Sequence, residues 1–357
     1  LKTNSSCALF GNLSLTSLKN GYIISKEAGT GNVPSSPNNH PIDQQEEKAM
    51  KIIVFGGTGW LGHSIVLDLQ SHGYPVTICA RGKKTTFAKE TANCQIIHAD
   101  KNDEKAMAEI LSARYDIVID TVPTGQSIAL VARYATGIKH YLHCSSTGGY
   151  APLPFVPCDE TAPYGGFDDT SGWKSKANYD KAALDLFMDT GFPATVIRPC
   201  YITGPGMLPL DNLGGRRTDF IADILAEKTL DLPDNGLSLL QPIHVKDLAV
   251  SFRLAIENRR SIGQIYNICL SHAVTLNKYL ELNAAAFGKK AHISYVPLED
   301  MLKKYPDAHQ IGMRFLATHM CFSIEKAIRD LGYKPHCTPE EAIQETARWA
   351  AKQNGLI

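Results

Sequence analysis

The feature that most constrains this chain is a glycine-rich turn between an apolar run and a helical pattern, in the stretch KIIVFGGTGWLGHSIVLDL that begins at Lys51. Glycines in such a turn allow a tight bend and let backbone N–H groups approach a pyrophosphate, whose charge the helix N-terminus stabilises. A glycine-rich turn can also serve only to pack a helix closely on a sheet. We favour a dinucleotide-binding loop, with the predicted contact residues Gly56, Thr58, Gly59, Trp60, Leu61 and Gly62.

Short β-branched runs alternate with longer segments of helical period up to about residue 200. This alternation predicts an α/β fold, a Rossmann-type doubly wound parallel sheet with helices on both faces. After Pro199 a Gly/Pro-rich loop and shorter elements predict a smaller carboxyl-terminal α/β substrate lobe. The predicted domains are residues 50–200 and 201–357, and elements of the second can return to the main sheet. Residues 338–341, Thr-Pro-Glu-Glu, are start signals for a last helix.

Residues 1–49 differ from the rest in composition and show no sustained periodicity. Their Ser, Asn, Gly and Pro content predicts a disordered leader. Few acids and many hydroxyls before Asp43 would suit an organelle transit peptide, but the absence of Arg up to Met50 weakens this alternative. A natural start at Met50 is a third interpretation. We expect a cytoplasmic protein, with organelle targeting by residues 1–49 as the weaker alternative.

The overall charge argues against several kinds of partner. Lys plus Arg and Asp plus Glu both number 36, so the net charge is zero and no global field favours nucleic acid or an anionic membrane. No apolar run approaches the roughly 18 to 20 residues that a membrane helix needs.

The nine cysteines are scattered singly, without C-x-x-C. This spacing predicts reduced thiols and no metal site.

The end of the second predicted strand should select the form of the dinucleotide. An acid there would bond the ribose hydroxyls, whereas Arg would accept a 2′-phosphate. The chain has Arg81 at this position, with Lys83 and Lys84 behind it, which favours NADP over NAD. A solvated basic loop is the alternative. Asp100, after the third strand, is placed to accept from the adenine amino group or to cap the next helix.

Five stretches together carry a family resemblance: GGTGWLG, HCSSTGGY, DKAALD, RPCYITGPG and PIHVKDLA. In them the sequence resembles the short-chain dehydrogenase/reductase superfamily, in the extended or atypical branch of NAD-dependent epimerases and dehydratases, over residues 50 to about 350. The resemblance implies a cooperating hydroxyl, tyrosine and lysine, in which the lysine lowers the pKa of the phenol and the hydroxyl orients the substrate oxygen. Ser146 matches the serine, and Lys181 matches the lysine and would also hold the nicotinamide ribose.

The tyrosine of this pattern is missing. Four residues before Lys181 the chain has Ala177, and taking Ser175–Lys176 as the match instead moves the position to Gly172. Other tyrosines would have to substitute, each with packing in the core or rim as its alternative role. The candidate catalytic residues are therefore Ser146, Lys181, Tyr150 and Tyr179, with Tyr164 and His143 as further candidates.

The carboxyl half adds charged candidates. Arg198 is expected to form a structural ion pair rather than to bind a substrate phosphate. His244 is expected to bridge the lobes, and the resemblance implies that Asp247 caps the following helix. Arg216 and Arg217 would bind a substrate diphosphate or form a solvated loop tip.

Two functions remain open at this point. The first is an NAD(P)-dependent oxidoreductase or epimerase/dehydratase-like enzyme acting on a hydroxyl or keto carbon of a small molecule, for which a nucleotide sugar is one candidate. The second is a catalytically altered binding protein, because the carboxyl half also resembles chloroplast stem-loop RNA-binding proteins and their bacterial relatives. The zero net charge speaks against RNA as the main ligand. A homodimer is common in the family that the sequence resembles.

Overall fold

The computed structural model describes residues 50–83, 89–91, 93–165 and 172–357. The leader predicted for residues 1–49 lies outside the described residues, as does Lys84. Every cysteine in the described ranges carries a free thiol. Within the same ranges, no helix combines the length and the apolar character that crossing a bilayer requires.

The strands are, in chain order, β1 Ile52–Phe55, β2 Val76–Ala80, β3 Gln95–His98, β4 Ile117–Asp120, β5 His140–Cys144, β6 Ala194–Pro199, β7 Tyr201–Thr203, β8 Thr229–Pro233, β9 Leu239–Leu240, β10 Pro242–His244, β11 Ile265–Ile268, β12 Val274–Thr275 and β13 His292–Val296. The α-helices are α1 Trp60–Ser71, α2 Glu104–Leu111, α3 Gly125–Tyr134, α4 Gly172–Thr190, α5 Phe220–Leu225, α6 Val245–Glu257, α7 Leu276–Ala285, α8 Leu298–Lys304, α9 Gln310–Leu316, α10 Glu325–Leu331 and α11 Pro339–Gln353.

The main sheet has seven strands in the order β11-β6-β5-β4-β1-β2-β3, and all its pairings are parallel. The order reverses beside β1, which lies between β4 and β2. This arrangement confirms the predicted doubly wound sheet. β11 belongs to the carboxyl part of the chain and pairs with β6 at the sheet edge. The predicted division near residue 200 stays a prediction, with β11 as an element that returns to the main sheet.

The two faces of the sheet bury alternate residues of each strand, because successive side chains of a strand point to opposite faces. On β1, Ile52 and Val54 join the core that also contains residues of α1 and α6. Ile53 and Phe55 join the core under α2, α3 and α4. Helices therefore cover both faces, which explains why the strands read as continuous apolar runs.

The elements after β6 build a third apolar core around Phe220, Leu232 and Tyr279, which α11 completes with Ile343 and Ala347. Most of these elements are short. β7 pairs in parallel with β10, so the segment predicted as a loop after Pro199 begins with a strand. The last helix begins at Pro339 as predicted, with Thr338 as its N-cap and Glu341 closing a capping box.

A buried ion pair fixes α4 to the sheet. The Arg198 Nε donates to Asp180 Oδ2 at 2.9 Å, and the Nε2 of His143 on β5 lies 2.9 Å from Asp180 Oδ1. All three side chains are buried. Burial alone would raise the pKa of Asp180, but the contact with His143 and the charge of Arg198 hold it below its ordinary value. The contacts of Arg198 thus agree with its expected role in a structural ion pair.

Replacing Asp180 with asparagine should destabilise the protein by about 3–5 kcal/mol, because Arg198 would be left as a buried charge without its partner. Urea unfolding, extrapolated to zero denaturant, measures this loss. Since the folded-state pKa of Asp180 is depressed, its contribution is complete above the unfolded-chain pKa of about 3.9 and disappears as the pH falls below that value.

Asp185→Asn is the matched control, because Asp185 lies on the same helix, is exposed and pairs with Lys181. Its removal should change the free energy of unfolding by less than about 0.5 kcal/mol. Equal losses in the two variants would show that the Asp180–Arg198 pair does not anchor α4.

Candidate active site

The carboxyl ends of the parallel strands meet at one edge of the sheet and bring most predicted site residues together there. The glycine turn follows β1, Arg81 follows β2, Asp100 follows β3, and Ser145 and Ser146 follow β5. In open parallel sheets, ligands bind outside this edge, where the strand order reverses. The reversal beside β1 therefore places the glycine turn at the centre of the candidate site.

The glycine turn leaves no room for side chains at two positions. Gly56 has a φ of +80°, and an added Cβ would lie 2.5 Å from Thr121 Oγ1. A Cβ on Gly62 would lie 2.2 Å from the Gly56 carbonyl oxygen. The Gly59 N–H donates to the same carbonyl at 2.8 Å. Glycine is thus required for the turn itself and for the close approach of α1 to it.

The N-terminus of α1 carries no side-chain cap. Gly59 is its N-cap residue, and the first turn contains no acid. In contrast, α3, α6, α7 and α11 each begin with a side chain that accepts a backbone N–H. The first N–H groups of α1 therefore stay available to an anion, which the helix dipole also favours.

The remaining predicted loop residues have different contacts. The Trp60 Nε1–H donates to the Pro205 carbonyl at 2.6 Å, so the indole ties the glycine turn to the segment after β7. Leu61 is half-buried and packs against the core that contains α1. Thr58 is half-buried at the turn. Of these three, Trp60 connects the two halves of the chain across the edge of the sheet.

Arg81 and Asp100 lie beside each other. Their closest charged atoms, Arg81 Nη1 and Asp100 Oδ2, are 3.9 Å apart, and both side chains are largely exposed. Asp100 Oδ1 accepts the Asn102 N–H at 2.9 Å, and this bond is the main reason why the pKa of Asp100 lies below its ordinary value. The alternative role of Asp100 as a helix cap is wrong, because Asp103 caps α2.

Sequence reasoning missed a buried ion pair at this edge. Asp120, the last residue of β4, is fully buried and binds the ammonium of Lys101, which also donates to the Val122 carbonyl. The Ser127 hydroxyl donates to the other Asp120 oxygen at 2.7 Å. The only signal in the sequence is an acid that ends an apolar strand and a lysine that follows Asp100.

The three hydroxyls after β5 point in different directions. Ser145 and Thr147 are buried, and Ser146 is half-exposed. The Ser145 hydroxyl lies 3.0 Å from the Tyr164 hydroxyl, and Thr147 donates to the Pro199 carbonyl at 3.3 Å. Ser146 Oγ accepts the Gly148 N–H at 3.2 Å. Of the three, Ser146 is the hydroxyl that solvent and a ligand can reach.

The candidate tyrosines are engaged elsewhere. The Tyr150 hydroxyl accepts from Arg198 Nη1 at 2.6 Å and donates to Asn267 Oδ1 at 3.1 Å. The Tyr164 hydroxyl donates to the Ser146 carbonyl at 2.6 Å, and the Arg198 guanidinium lies 3.6 Å from the centre of its ring. Burial raises the pKa of both phenols. Tyr179 packs beside Gly125 at the start of α3.

The two candidate lysines lie on different sides of α4. Lys176 precedes Asp180 by four residues and shares its sheet-facing side, and its charge acts on the thiol of Cys144 at the end of β5. Lys181 is exposed and bonds Asp185, one turn further along the helix. A crossover helix begins at the carboxyl edge, so we expect Lys176, nearer the start of α4, to lie closer to Ser146 than Lys181 does. The role of Lys181 stays a prediction that this geometry does not favour.

The arginine pair after β7 is committed to internal contacts. Arg216 donates to the carbonyls of Leu208 and Ile202, the latter at 3.1 Å. Arg217 forms ion pairs with Asp219 at 3.0 Å and with Asp223 at 3.2 Å. Neither guanidinium is a solvated loop tip, and binding a diphosphate would require them to exchange these partners.

Comparisons with known proteins agree with this geometry. The model of the NAD dependent epimerase/dehydratase family matches residues 121–269, and that of the NmrA-like family matches residues 48–149. The chloroplast stem-loop binding protein of 41 kDa b from Arabidopsis thaliana is 26% identical over 83% of this chain and 78% of that protein. UDP-glucose 4-epimerase from Corynebacterium glutamicum is also 26% identical, over 84% of this chain and 95% of that protein.

A solved structure shares the fold. It is that of dTDP-glucose 4,6-dehydratase from Bacillus anthracis in complex with NAD, with a TM-score of 0.69 at 20% identity, over 85% of this chain and 97% of that one. The chain is therefore similar to the NAD dependent epimerase/dehydratase family over residues 121–269, and it shares the fold of a solved dehydratase.

Proposed function

We propose that the protein binds a nicotinamide dinucleotide, NADP in preference to NAD, and acts as an oxidoreductase or epimerase/dehydratase-like enzyme on a hydroxyl or keto carbon. The observation that carries this proposal is the uncapped N-terminus of α1 behind a turn where Gly62 has no room for a Cβ. Backbone N–H groups without a side-chain cap among the described residues, at a close glycine turn, suit a pyrophosphate. Similarity to a family named for NAD dependence, over residues 121–269, supports the same proposal.

The residues around this edge suit the two ends of the dinucleotide. Arg81 and Asp100 would bind the adenosine end, where the Arg81 charge suits a 2′-phosphate. Trp60, Leu61 and Thr58 would flank the pyrophosphate beside Gly59. The bound dinucleotide would supply the hydride acceptor or donor for the reaction.

At the reacting end, Ser146 and Lys176 are the polar groups that we assign. The Ser146 hydroxyl is half-exposed and would orient the substrate oxygen. The Lys176 ammonium would bond the nicotinamide ribose, in place of the role first assigned to Lys181. Tyr150 and Tyr179 are proposed as packing residues. The Tyr150 hydroxyl is bonded within the protein, and the Tyr179 ring packs at the start of α3.

For the substrate we propose only a class of molecule, on the basis of the relatives. A nucleotide sugar is supported by relatives such as UDP-glucose 4-epimerase and UDP-arabinose 4-epimerase 1. Reductases of other small molecules, such as 2'-dehydrokanamycin reductase, are relatives too. Arg216 and Arg217 already have partners within the protein. The proposal of a nucleotide sugar therefore does not rest on diphosphate binding by these two residues. The homodimer is proposed from the family resemblance alone.

A binding protein without this chemistry is the second candidate. It is favoured by the absence of the tyrosine, with Ala177 at its expected position, and by similarity to the chloroplast stem-loop binding protein. The ligand would then be a structured RNA. The same relative supports organelle targeting by residues 1–49 as the alternative to a cytoplasmic location.

Titration with NADPH and NADH, followed by nicotinamide fluorescence, tests the cofactor choice. We expect NADPH to bind more tightly, and Arg81→Ala to remove most of the difference, a loss of about tenfold or about 1.4 kcal/mol. Arg133→Ala is the matched control, because Arg133 is exposed and paired with Glu104 on α2. Equal preference in wild type and Arg81→Ala would reject Arg81 as the selecting residue.

A charge reversal tests the phosphate loop. Gly59→Asp should weaken binding of both dinucleotides at least about tenfold, because its carboxylate would stand where the pyrophosphate is expected. Gly59→Asn adds similar volume without charge, so it separates repulsion from crowding by the Gly56 carbonyl, 3.1 Å from the new Cβ. Unchanged affinity in Gly59→Asp would disprove the loop, and absence of any dinucleotide binding by wild type would favour the RNA-binding candidate.

The two lysines can be separated by paired substitutions. Lys176→Ala should weaken NADPH binding about tenfold, since a charge-assisted hydrogen bond to the ribose would be lost. Lys181→Ala should have a much smaller effect, because Lys181 is exposed and pairs with Asp185. The opposite order of effects would restore Lys181 to the role that the sequence assigned to it.

A further inference from the structure

Three potential metal ligands meet where α6 begins and the segment before α11 passes it. The ligand atoms of Asp247, His336 and Cys337 all lie within 4.8 Å of one another. A tetrahedral zinc site, with bonds of about 2.0 to 2.3 Å, has ligand atoms about 3.3 to 3.8 Å apart. Small side-chain rotations would therefore bring the three atoms to coordination distance.

Asp247 is the strongest sign that a ligand is missing. Its side chain is buried, and its Oδ1 accepts the His336 backbone N–H at 3.0 Å and lies 2.8 Å from His336 Nδ1. Its Oδ2 is buried with no hydrogen-bond partner among the described residues. A buried carboxylate oxygen without a partner is costly, and a cation is one of the groups that satisfy it.

The expected capping role of Asp247 is wrong, and His244 fills it. The His244 Nδ1 accepts the Lys246 N–H at 3.1 Å, and its Nε2 bonds Glu345 at 3.1 Å. Its ring packs edge-on against the His336 ring, with centres 4.8 Å apart. His244 thus packs against His336 from outside the cluster.

The surroundings of the cluster favour a cation. The charged groups that act on Cys337 are the carboxylates of Asp247, Glu341 and Glu345, opposed by Lys246. The His336 side chain is 46% exposed, so an ion can reach the cluster from solvent. The cluster thus combines a buried carboxylate with a solvent-accessible histidine in surroundings rich in carboxylates.

We propose that Asp247, His336 and Cys337 bind one divalent transition-metal ion of the zinc class, with water as the fourth ligand. Imidazole, thiolate and carboxylate are the donors that zinc accepts. On binding, the Cys337 thiol releases its proton to solvent and its sulfur bonds the metal. His336 binds through Nδ1, with its proton on Nε2. No motif spacing indicates this site, because Asp247 and His336 are 89 residues apart along the chain.

The bound ion would tie the start of α6 to the start of α11. A ligand that binds only the folded state stabilises it by mass action. Metal binding should therefore raise the melting temperature of the protein, and it does so independently of the dinucleotide. The site and the proposed enzymatic function can thus fail separately.

The test is titration of the untagged, metal-stripped full chain with Zn²⁺, and with Co²⁺ as a spectroscopic probe. We expect one ion per chain, a thiolate-to-cobalt charge-transfer band and a raised melting temperature. Cys337→Ser and His336→Asn should each weaken Zn²⁺ binding at least about tenfold, and Cys337→Ser should abolish the band. Cys94→Ser is the matched control, because Cys94 is also a half-buried free thiol, next to Gln70 and outside the cluster.

Circular dichroism of each apo variant shows whether it is folded, and Asp247→Asn provides a third, nearly isosteric ligand substitution. Binding of less than one ion by wild type would overturn the proposal. So would a cobalt band that persists in folded Cys337→Ser, or equal losses in Cys337→Ser and Cys94→Ser.

Discussion

One buried carboxylate, Asp180, holds together the elements that surround the reacting end of the site. It joins α4 to β6 through Arg198 and to β5 through His143. Arg198 continues the connection to Tyr150, whose hydroxyl reaches Asn267 on β11. A buried ion pair adds little net stability compared with apolar packing, but breaking it is expensive. The network therefore acts mainly by specifying how α4 lies on the sheet, and with it the positions of Lys176 and Ser146.

The same network explains why the missing tyrosine matters. Tyr150 and Tyr164 lie near Ser146, yet Arg198 contacts both, one through its hydroxyl and one through its ring. Burial raises both phenol pKa values, so these groups serve as hydrogen-bond donors within the protein rather than as acids that titrate near neutral pH. The charged Arg198 guanidinium thus contacts both Tyr150 and Tyr164, the tyrosines that could have substituted for the missing one.

Local patterns predicted the parts of this molecule that local physics determines. The alternation of apolar and helical runs predicted the parallel sheet, the glycine spacing predicted the turn after β1, and Thr338 with Pro339 predicted the start of α11. The pairings between distant residues could not be predicted in this way. Lys101 with Asp120 and Asp247 with His336 have no common periodicity, and they become neighbours only because the strand order brings their elements together. The choice between Lys176 and Lys181 could not be settled from the sequence for the same reason, because it depends on which side of α4 faces the sheet.

The glycine turn carries costs that a purely structural role does not explain. Gly56 adopts a left-handed conformation, α1 approaches the turn so closely that Gly62 admits no side chain, and the helix starts without a cap. Relative to glycine, a serine or aspartate at the N-cap would stabilise such a helix by about a few tenths of a kcal/mol, and α3, α6, α7 and α11 all have side-chain caps. Local rules are usually broken where a ligand compensates for the loss. Since α5, α8 and α10 also begin without a side-chain cap, the missing cap alone does not require a ligand. It is the combination of uncapped N–H groups with the close approach of α1 to the turn at Gly62 that suits a bound phosphate.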